Sequence, residues 1–240
     1  MKSILHPRVV FELFLITGFF IVGVYTVLNV YGYKYNIQTR DFEQVGIIDI
    51  GGEDFDANIF FDNVKLDKKI PFVLKDVAPG LHHIRIEKQG FFPYDVSFLV
   101  SPAVVVKIDS VVMMPQNLVF TDIKNSDFTE SIFRDNQGNL SAKGDNIYVQ
   151  NNEIWIRDSL LGVNKFISRF NKPVSHAMFF SDDYNILFVL EDNLNFCDQI
   201  MQNCYKLRSF SEGDQFAVED KKIFYKDKYG KVSVLNLSYE

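Results

Sequence analysis

The residues best placed for covalent chemistry are the two cysteines of "FCDQIMQNCYK", Cys197 and Cys204. They stand on either side of a six-residue connection that reads as a hairpin tip. A disulfide there requires the flanking strands to pair at those positions, since the Cα atoms must approach within about 7 Å. An oxidising compartment favours the bridge, and a reducing one leaves two separate thiols. A zinc site is not expected, because structural zinc takes four ligands and no Cys or His pair lies at ligand spacing nearby.

The remaining candidates for chemistry are scattered. His6 precedes a long apolar segment, and His176 stands alone in "SHAMFF", where it reads as a half-buried histidine. His82 and His83 are neighbours on one strand, so they leave on opposite faces and cannot chelate one ion. Acidic clusters occur at "GGEDFD" (51–56), "SDD" (181–183) and "EDN" (191–193). Paired carboxylates can hydrolyse glycosides, but without a pocket or partner these read as solvated turns. "DNQGN" (135–139) lacks the alternating oxygen ligands and terminal Glu of a calcium loop. No G-x-S-x-G, H-E-x-x-H, P-loop or G-x-G-x-x-G motif is present. The sequence therefore nominates no catalytic residue, no cofactor-binding residue and no metal ligand. It is read as a protein that is not an enzyme and carries no cofactor.

What must position these residues is mostly β structure. The 240 residues include 24 Phe and 11 Tyr but only 7 Pro and 13 Gly, a composition that favours strands over helices. The net charge of −6, with Lys and Arg dispersed, gives no basic stripe, so nucleic acid is not expected as a partner.

One segment departs from this pattern. From Leu13 to Tyr33, "LFLITGFFIVGVYTVLNVYGY", 21 consecutive residues carry no charge. As a helix the run spans about 30 Å, the thickness of a bilayer's hydrocarbon core. Tyr25, Tyr31 and Tyr33 gather towards its far end, where aromatic rings favour the membrane interface. A core helix of this length would show a polar face, and a cleaved signal peptide would be shorter and end in a small-residue cleavage site. Residues 1–33 are accordingly read as a short tail and a retained single-pass anchor, with the bilayer as partner. Lys2 and Arg8 before the segment balance Lys34 and Arg40 after it. The short tail favours a cytoplasmic amino terminus with the bulk of the chain exported.

Residues 34–44 read as a polar tether, and strand candidates follow. Val45–Ile50, 56–63 and 71–77 are the first three. On "LHHIRIEK" (81–88), His82, Ile84 and Ile86 share a face, and on "YDVSFLV" (94–100), Tyr94, Val96, Phe98 and Val100 do. "AVVVKIDSVV" (103–112) closes the set. Strands with one apolar and one polar face belong to an antiparallel sheet or small sandwich. Pro79-Gly80 reads as a turn in which Pro presets φ and Gly takes a positive φ. Gly90 breaks the chain so that Phe91 and Phe92 fold back over the sheet end.

The stretch "ANIFFDNVKLDKKIPFVLKDVAPGLHHIRIEKQGFFPYDVSFLV", with the strands on either side, resembles the PEGA domain. Pro71, Pro79, Gly80, His82, Ile84, Ile86, Lys88, Gly90 and Phe91 occupy places of that family's pattern. The Pro-Glu-Gly-Ala quartet itself is replaced by "EDFDA", which keeps only Ala57. The resemblance covers about residues 45–115. It implies a compact, non-catalytic β-sandwich of the cell envelope, exported, with a role in binding or spacing.

Residues 116–240 have another rhythm. Phe170 and Phe210 lie 40 residues apart, as do Ile154 and Leu194, while "DNIYVQNNEIWIRD" (145–158) aligns with 184–198 and 221–236. A period near 40 with several short strands per unit points to blades resembling part of a β-propeller. About three units are visible, fewer than the four to eight blades of typical propellers. Blades could hide in 116–144, the array could stay open, or chains could associate. An irregular meander with accidental spacing is the plainer alternative.

The expectation is a membrane-anchored envelope protein presenting β domains to a polysaccharide, a surface layer or envelope proteins. Aromatics such as Trp155, Phe91 and Phe92 could stack on sugar rings, with core or edge packing as the plainer reading of each. The alternative is a degenerate propeller-type enzyme or sensor acting on glycans or peptides, marked by two convergent carboxylates over an aromatic floor.

Overall fold

The computed structural model describes residues 7–37, 40–124, 127–135, 140–141, 143–180 and 183–237. His6, Lys2, the first two residues of "SDD" and 136–139 of "DNQGN" lie outside the described residues. The chain is mostly β, with one amino-terminal apolar helix and several small sheets. It divides into two compact units. The first comprises Met1–Asp49, Phe72–His82 and Phe98–Ile108, the second Ile50–Pro71, His83–Ser97 and Asp109–Glu240.

The first unit opens with helix α1 (Pro7–Val30). Pro7 sits at its first position, where a missing N–H costs nothing, and Arg8 pairs with Glu12 one turn on, at 3.2 Å. Arg8–Val30 is long and apolar enough to cross a membrane, and its most apolar stretch buries nothing against the rest of the chain. The helix stops at Gly32, whose φ of 76° suits a left-handed cap.

Strands β1 (Tyr33–Asn36) and β2 (Asp41–Gln44) follow as an antiparallel pair with Tyr35 opposite Phe42. The segment read as a tether thus holds a hairpin. Both strands alternate aromatic or uncharged with polar or charged residues. The helix end also feeds the ladder directly, through Val45 N–H to the Gly32 carbonyl and Gln44 Nε2 to the Tyr31 carbonyl, each 2.9 Å.

The next seven strands are β3 (Gly46–Gly52), β4 (Asn58–Phe61), β5 (Val64–Leu66), β6 (Phe72–Val77), β7 (Gly80–Glu87), β8 (Tyr94–Val100) and β9 (Val105–Val111). They form sheets in the orders β6-β3-β9 and β5-β4-β7-β8. The period of two is realised as burial: Ile84 and Ile86 on β7, and Tyr94 and Val96 on β8, are enclosed. On β9 Ile108 and Val111, three residues apart, are the buried positions, so the period of two is not kept there. The β4–β5 turn, Asp62-Asn63, has φ of 47° and 66°, the two left-handed positions of a type I′ hairpin.

Beyond Met114 lie β10 (Thr121–Ile123), α2 (Asp127–Asp135), β11 (Asn146–Gln150), β12 (Glu153–Arg157), β13 (Asn164–Arg169), β14 (Val174–Phe179), β15 (Asn185–Leu190), β16 (Asn193–Asp198), β17 (Cys204–Ser209), β18 (Gln215–Glu219), β19 (Lys222–Lys226) and β20 (Val232–Asn236). They build the sheets β11-β12-β13, β14-β15-β16-β17 and β10-β20-β19-β18. In the last, β10 pairs with β20, so the first strand of this region joins the final three. Asn151-Asn152 and Asp220-Lys221 make two further hairpin turns with positive φ at both residues.

Side chains such as Ile147, Ile154, Phe179 and Phe188 form one core of β11–β16. Leu187, Phe196, Phe210, Ile223 and Leu235 form a second, which reaches back to Val112 and Met114. Helix α2 places Ile132 against Ala217 and Phe224.

Candidate functional site

The hairpin β16–β17 ends in the turn that carries the cysteines. Cys197 and Cys204 are register partners, and a disulfide joins them with Cα atoms 4.2 Å apart. Among the described residues no free cysteine remains.

The tip so closed carries Gln202 and Asn203, which the sequence did not mark. Asn203 Oδ1 accepts the Asp95 N–H and its Nδ2 donates to the Asp95 carbonyl, both at 2.9 Å. Gln202 treats Ser97 alike, accepting its N–H at 2.7 Å and donating to its carbonyl at 2.8 Å. Asp95 and Ser97 are alternate residues of β8, the last strand of its sheet. Alternate residues of an edge strand turn their N–H and C=O to the same open side. Two side-chain amides here take the place of a neighbouring strand.

Behind the tip lies a buried polar cluster. Asp198 is fully enclosed, and its carboxylate accepts from Asn203 Nδ2 at 2.8 Å and Gln202 N–H at 2.9 Å. Burial pushes the carboxyl above its ordinary value, against the pull of those donors. Tyr94 is almost wholly enclosed beside it. Its hydroxyl lies close enough to interact with Asp198 and Tyr184, yet makes no hydrogen bond of good geometry. Burial drives its pKa far upward. Tyr205, packed at 5.5 Å on the Phe92 ring, is pushed up to about 12, again chiefly by burial. The one signal in the sequence was an Asp followed by two amides beside a cysteine pair.

The second unit also carries a cleft of about 1150 Å³ lined by Tyr148, His176, Glu191, Asp214, Phe210 and Phe216, among others. His176 has φ of 50° at a bulge, where the β14 register shifts between Ser175 and Ala177. The carboxylates at the cleft are engaged structurally. Glu191 meets Lys172 at 2.7 Å. Asp214 accepts from Ser211 N–H at 2.7 Å, Lys228 N–H at 2.9 Å and the Tyr225 hydroxyl at 2.5 Å. Burial would raise the Asp214 carboxyl, but those three donors outweigh it and hold it below its ordinary value, while Tyr225 is pushed up to about 12.

The other candidates occupy separate places. His82 Nε2 lies 2.8 Å from the Ala78 carbonyl, and His83 Nε2 lies 3.2 Å from Asp95 Oδ1. Among the described residues no three His, Cys, Asp or Glu side chains converge as a metal site. Gly80, after Pro79, has φ of 150°. Gly90 has φ of 83° in a turn closed by Phe91 N–H to the Lys88 carbonyl at 3.1 Å. The aromatics are packed: Trp155 donates to Glu153 at 2.8 Å and meets Phe166 edge-on, and Lys88 lies over Phe91. Neither known protein-family models nor curated proteins yield a match to this chain.

Proposed function

We propose that this chain is a single-pass membrane protein that displays a non-catalytic β module on the exported face for contact with an envelope polymer, a surface layer or a protein partner. The observation that carries it is α1. Phe14, Phe19, Phe20, Ile21 and Val22 stand exposed along a helix whose apolar stretch has no protein cover, and such a surface needs lipid. The closed disulfide supports the exported side, where such bonds persist.

Within the module, a PEGA-like sandwich over about 45–115 is supported by the strand orders β6-β3-β9 and β5-β4-β7-β8. A propeller-like repeat over 116–240 is supported by equivalent hydrogen bonds 40 residues apart. Phe170 N–H donates to Asn152 and Phe210 N–H to Asp192. The amide clamp suits a display role, since it stiffens a sheet edge that would otherwise invite another strand.

The test is extraction and labelling in cells. The full chain is expected to stay with membranes through carbonate washing. Its cysteines should react with an impermeant thiol reagent only after reduction. Release into the soluble fraction would overturn the anchor, and labelling by a permeant reagent without reduction would overturn export.

The cleft at His176 favours a second reading, a degenerate propeller-type enzyme or sensor for glycans or peptides. The structural hydrogen bonds of Asp214 and the Lys172 pairing of Glu191 weigh against paired-carboxylate chemistry there. Saturable binding of a glycan or peptide that His176→Ala abolishes would revive it.

A further inference from the structure

The β1–β2 hairpin is amphipathic in the reverse of the usual sense for a soluble protein. Residues directly opposite share a face, so Tyr33, Tyr35, Phe42 and Gln44 lie on one side and Lys34, Glu43, Asn36 and Asp41 on the other. The aromatic side is the open one: Tyr33 is 36% exposed, Tyr35 55% and Phe42 45%. Tyr35 and Phe42 stack edge-on at 5.4 Å, which makes one continuous apolar ledge. On the polar side Lys34, Asn36 and Glu43 are half-buried and engaged in polar contacts, while Asp41 is exposed. Lys34 donates to Asn29 at 2.7 Å and lies 3.6 Å from Asp76, and Asn36 donates to Glu43 at 2.9 Å. A hairpin that bares a row of rings on one face is matched there to a surface less polar than water.

Its place relative to α1 identifies that surface. Only Tyr31 and Gly32 separate Val30 from Tyr33, so the strand begins within about 10 Å of the helix end. The polar layer on each side of a bilayer's hydrocarbon core is itself about 5–8 Å deep. No charge interrupts the chain from Leu13 to the first strand, where Lys34 is the first and sits on the face opposite the rings. The joint is fixed by the Gly32 cap and by the bonds of Val45 and Gln44 to Gly32 and Tyr31. Tyrosine suits this depth, because its ring is apolar and its hydroxyl reaches the headgroups.

We infer that the β1–β2 hairpin lies in the headgroup layer of the bilayer that α1 crosses, with Tyr33, Tyr35 and Phe42 facing lipid. The hairpin is then a foot that sets the height and tilt of the first unit at the membrane. This rests on the reading of α1 as membrane-spanning. The charges of Lys34, Arg40, Asp41 and Glu43 cancel, so contact with a zwitterionic surface suffices and anionic lipid is not required.

The test places tryptophan at Tyr35, Phe42 and, within α1, Val22, in the full chain reconstituted into phosphatidylcholine vesicles. Each variant is read as its difference from the parent, whose only tryptophan is Trp155. Lipids brominated high on the acyl chain should quench the Tyr35→Trp and Phe42→Trp signals more than lipids brominated near the chain end. Val22→Trp should show the opposite preference. If Val22→Trp is quenched while the hairpin signals ignore both lipids and yield to aqueous acrylamide, the inference falls and the anchor stands. If the hairpin signals escape lipid and acrylamide alike, another protein surface or a second copy covers the face, and the inference also falls. If Val22→Trp escapes lipid quenching, the anchor reading has failed and the inference with it.

Discussion

Asn203 engages the backbone of Asp95 as a neighbouring strand would, through one acceptor and one donor at 2.9 Å. The same amide donates to the enclosed carboxylate of Asp198, so one side chain serves both the edge of β8 and the buried cluster. Asn203→Ala should lose both and leave Asp198 short of a donor, at a cost of about 2–3 kcal/mol. Gln202→Ala removes an equivalent pair at an exposed site, where water replaces it, and should cost about 1 kcal/mol or less. Urea denaturation of the two variants checks the difference. Equal losses would show that the buried half of the network does not dominate.

The disulfide should act on the same edge. Its sequence separation is 7, and a loop that short gives about 2 kcal/mol by chain entropy. Replacing both cysteines with alanine should lower stability by that order. It should also speed amide hydrogen exchange at Asp95 and Ser97, whose N–H groups depend on the tip. Unchanged exchange at these two amides, with β16 and β17 intact, would mean that the clamp holds without the bridge.

Two carboxyls, the enclosed Asp198 and the part-exposed Asp214, should give opposite pH dependence. Burial holds Asp198 above its ordinary 3.8, so the folded chain binds that proton more tightly than the unfolded one. Its penalty is absent in acid and complete at neutral pH. Donors hold Asp214 below 3.8, so its contribution is present near neutrality and lost as pH falls through the folded value. The cost of Asp198→Asn should therefore shrink from acid to neutral pH, and that of Asp214→Asn should grow. Denaturation of parent and variants at both ends of this range decides it, and parallel profiles would refute both assignments.

The sequence made local order legible where each residue's own preference agreed with the fold. Residues 13–30 of the uncharged run lie in α1, while Tyr31–Tyr33 leave the helix for a turn and β1, and alternation at Ile84, Ile86, Tyr94 and Val96 became buried strand faces. Asp62-Asn63 and Asn151-Asn152 sit in turns that tolerate left-handed φ. The β1–β2 hairpin was hidden because its two strands are only four residues each and depend on bonds from the helix end. Helix α2 was hidden because a single turn-and-a-half of apolar spacing, Phe128, Ile132 and Phe133, is a weak signal beside long strands. The clamp could not be read at all, since Asn203 and Asp95 are 108 residues apart and polar loop residues ordinarily signify only solvent.

The glycines separate backbone strain from crowding. Gly80 has φ of 150° but would place a Cβ near nothing closer than His82 Nε2 at 3.9 Å, and Gly90 has φ of 83° with open space around it. Gly80→Val and Gly90→Ala should each cost about 1 kcal/mol, the penalty of a positive φ. Gly46 has no positive φ, and nothing in the sequence singled it out. Yet a Cβ there would collide with Val100 Cγ1 and come within 3.0 Å of the carbonyl oxygens of Ser101 and Val104. Those carbonyls cannot easily retreat. Ile47 N–H bonds to Val104, Ala103 N–H to Val45 and Val104 N–H to Ser101, at 3.0–3.2 Å. Gly46→Ala, chemically the mildest change of the three or equal to it, should therefore be the most damaging, at about 2–3 kcal/mol. Thermal melts of the three variants order them, and a Gly46→Ala protein that melts with the parent would show that the β3 and β8–β9 backbones yield.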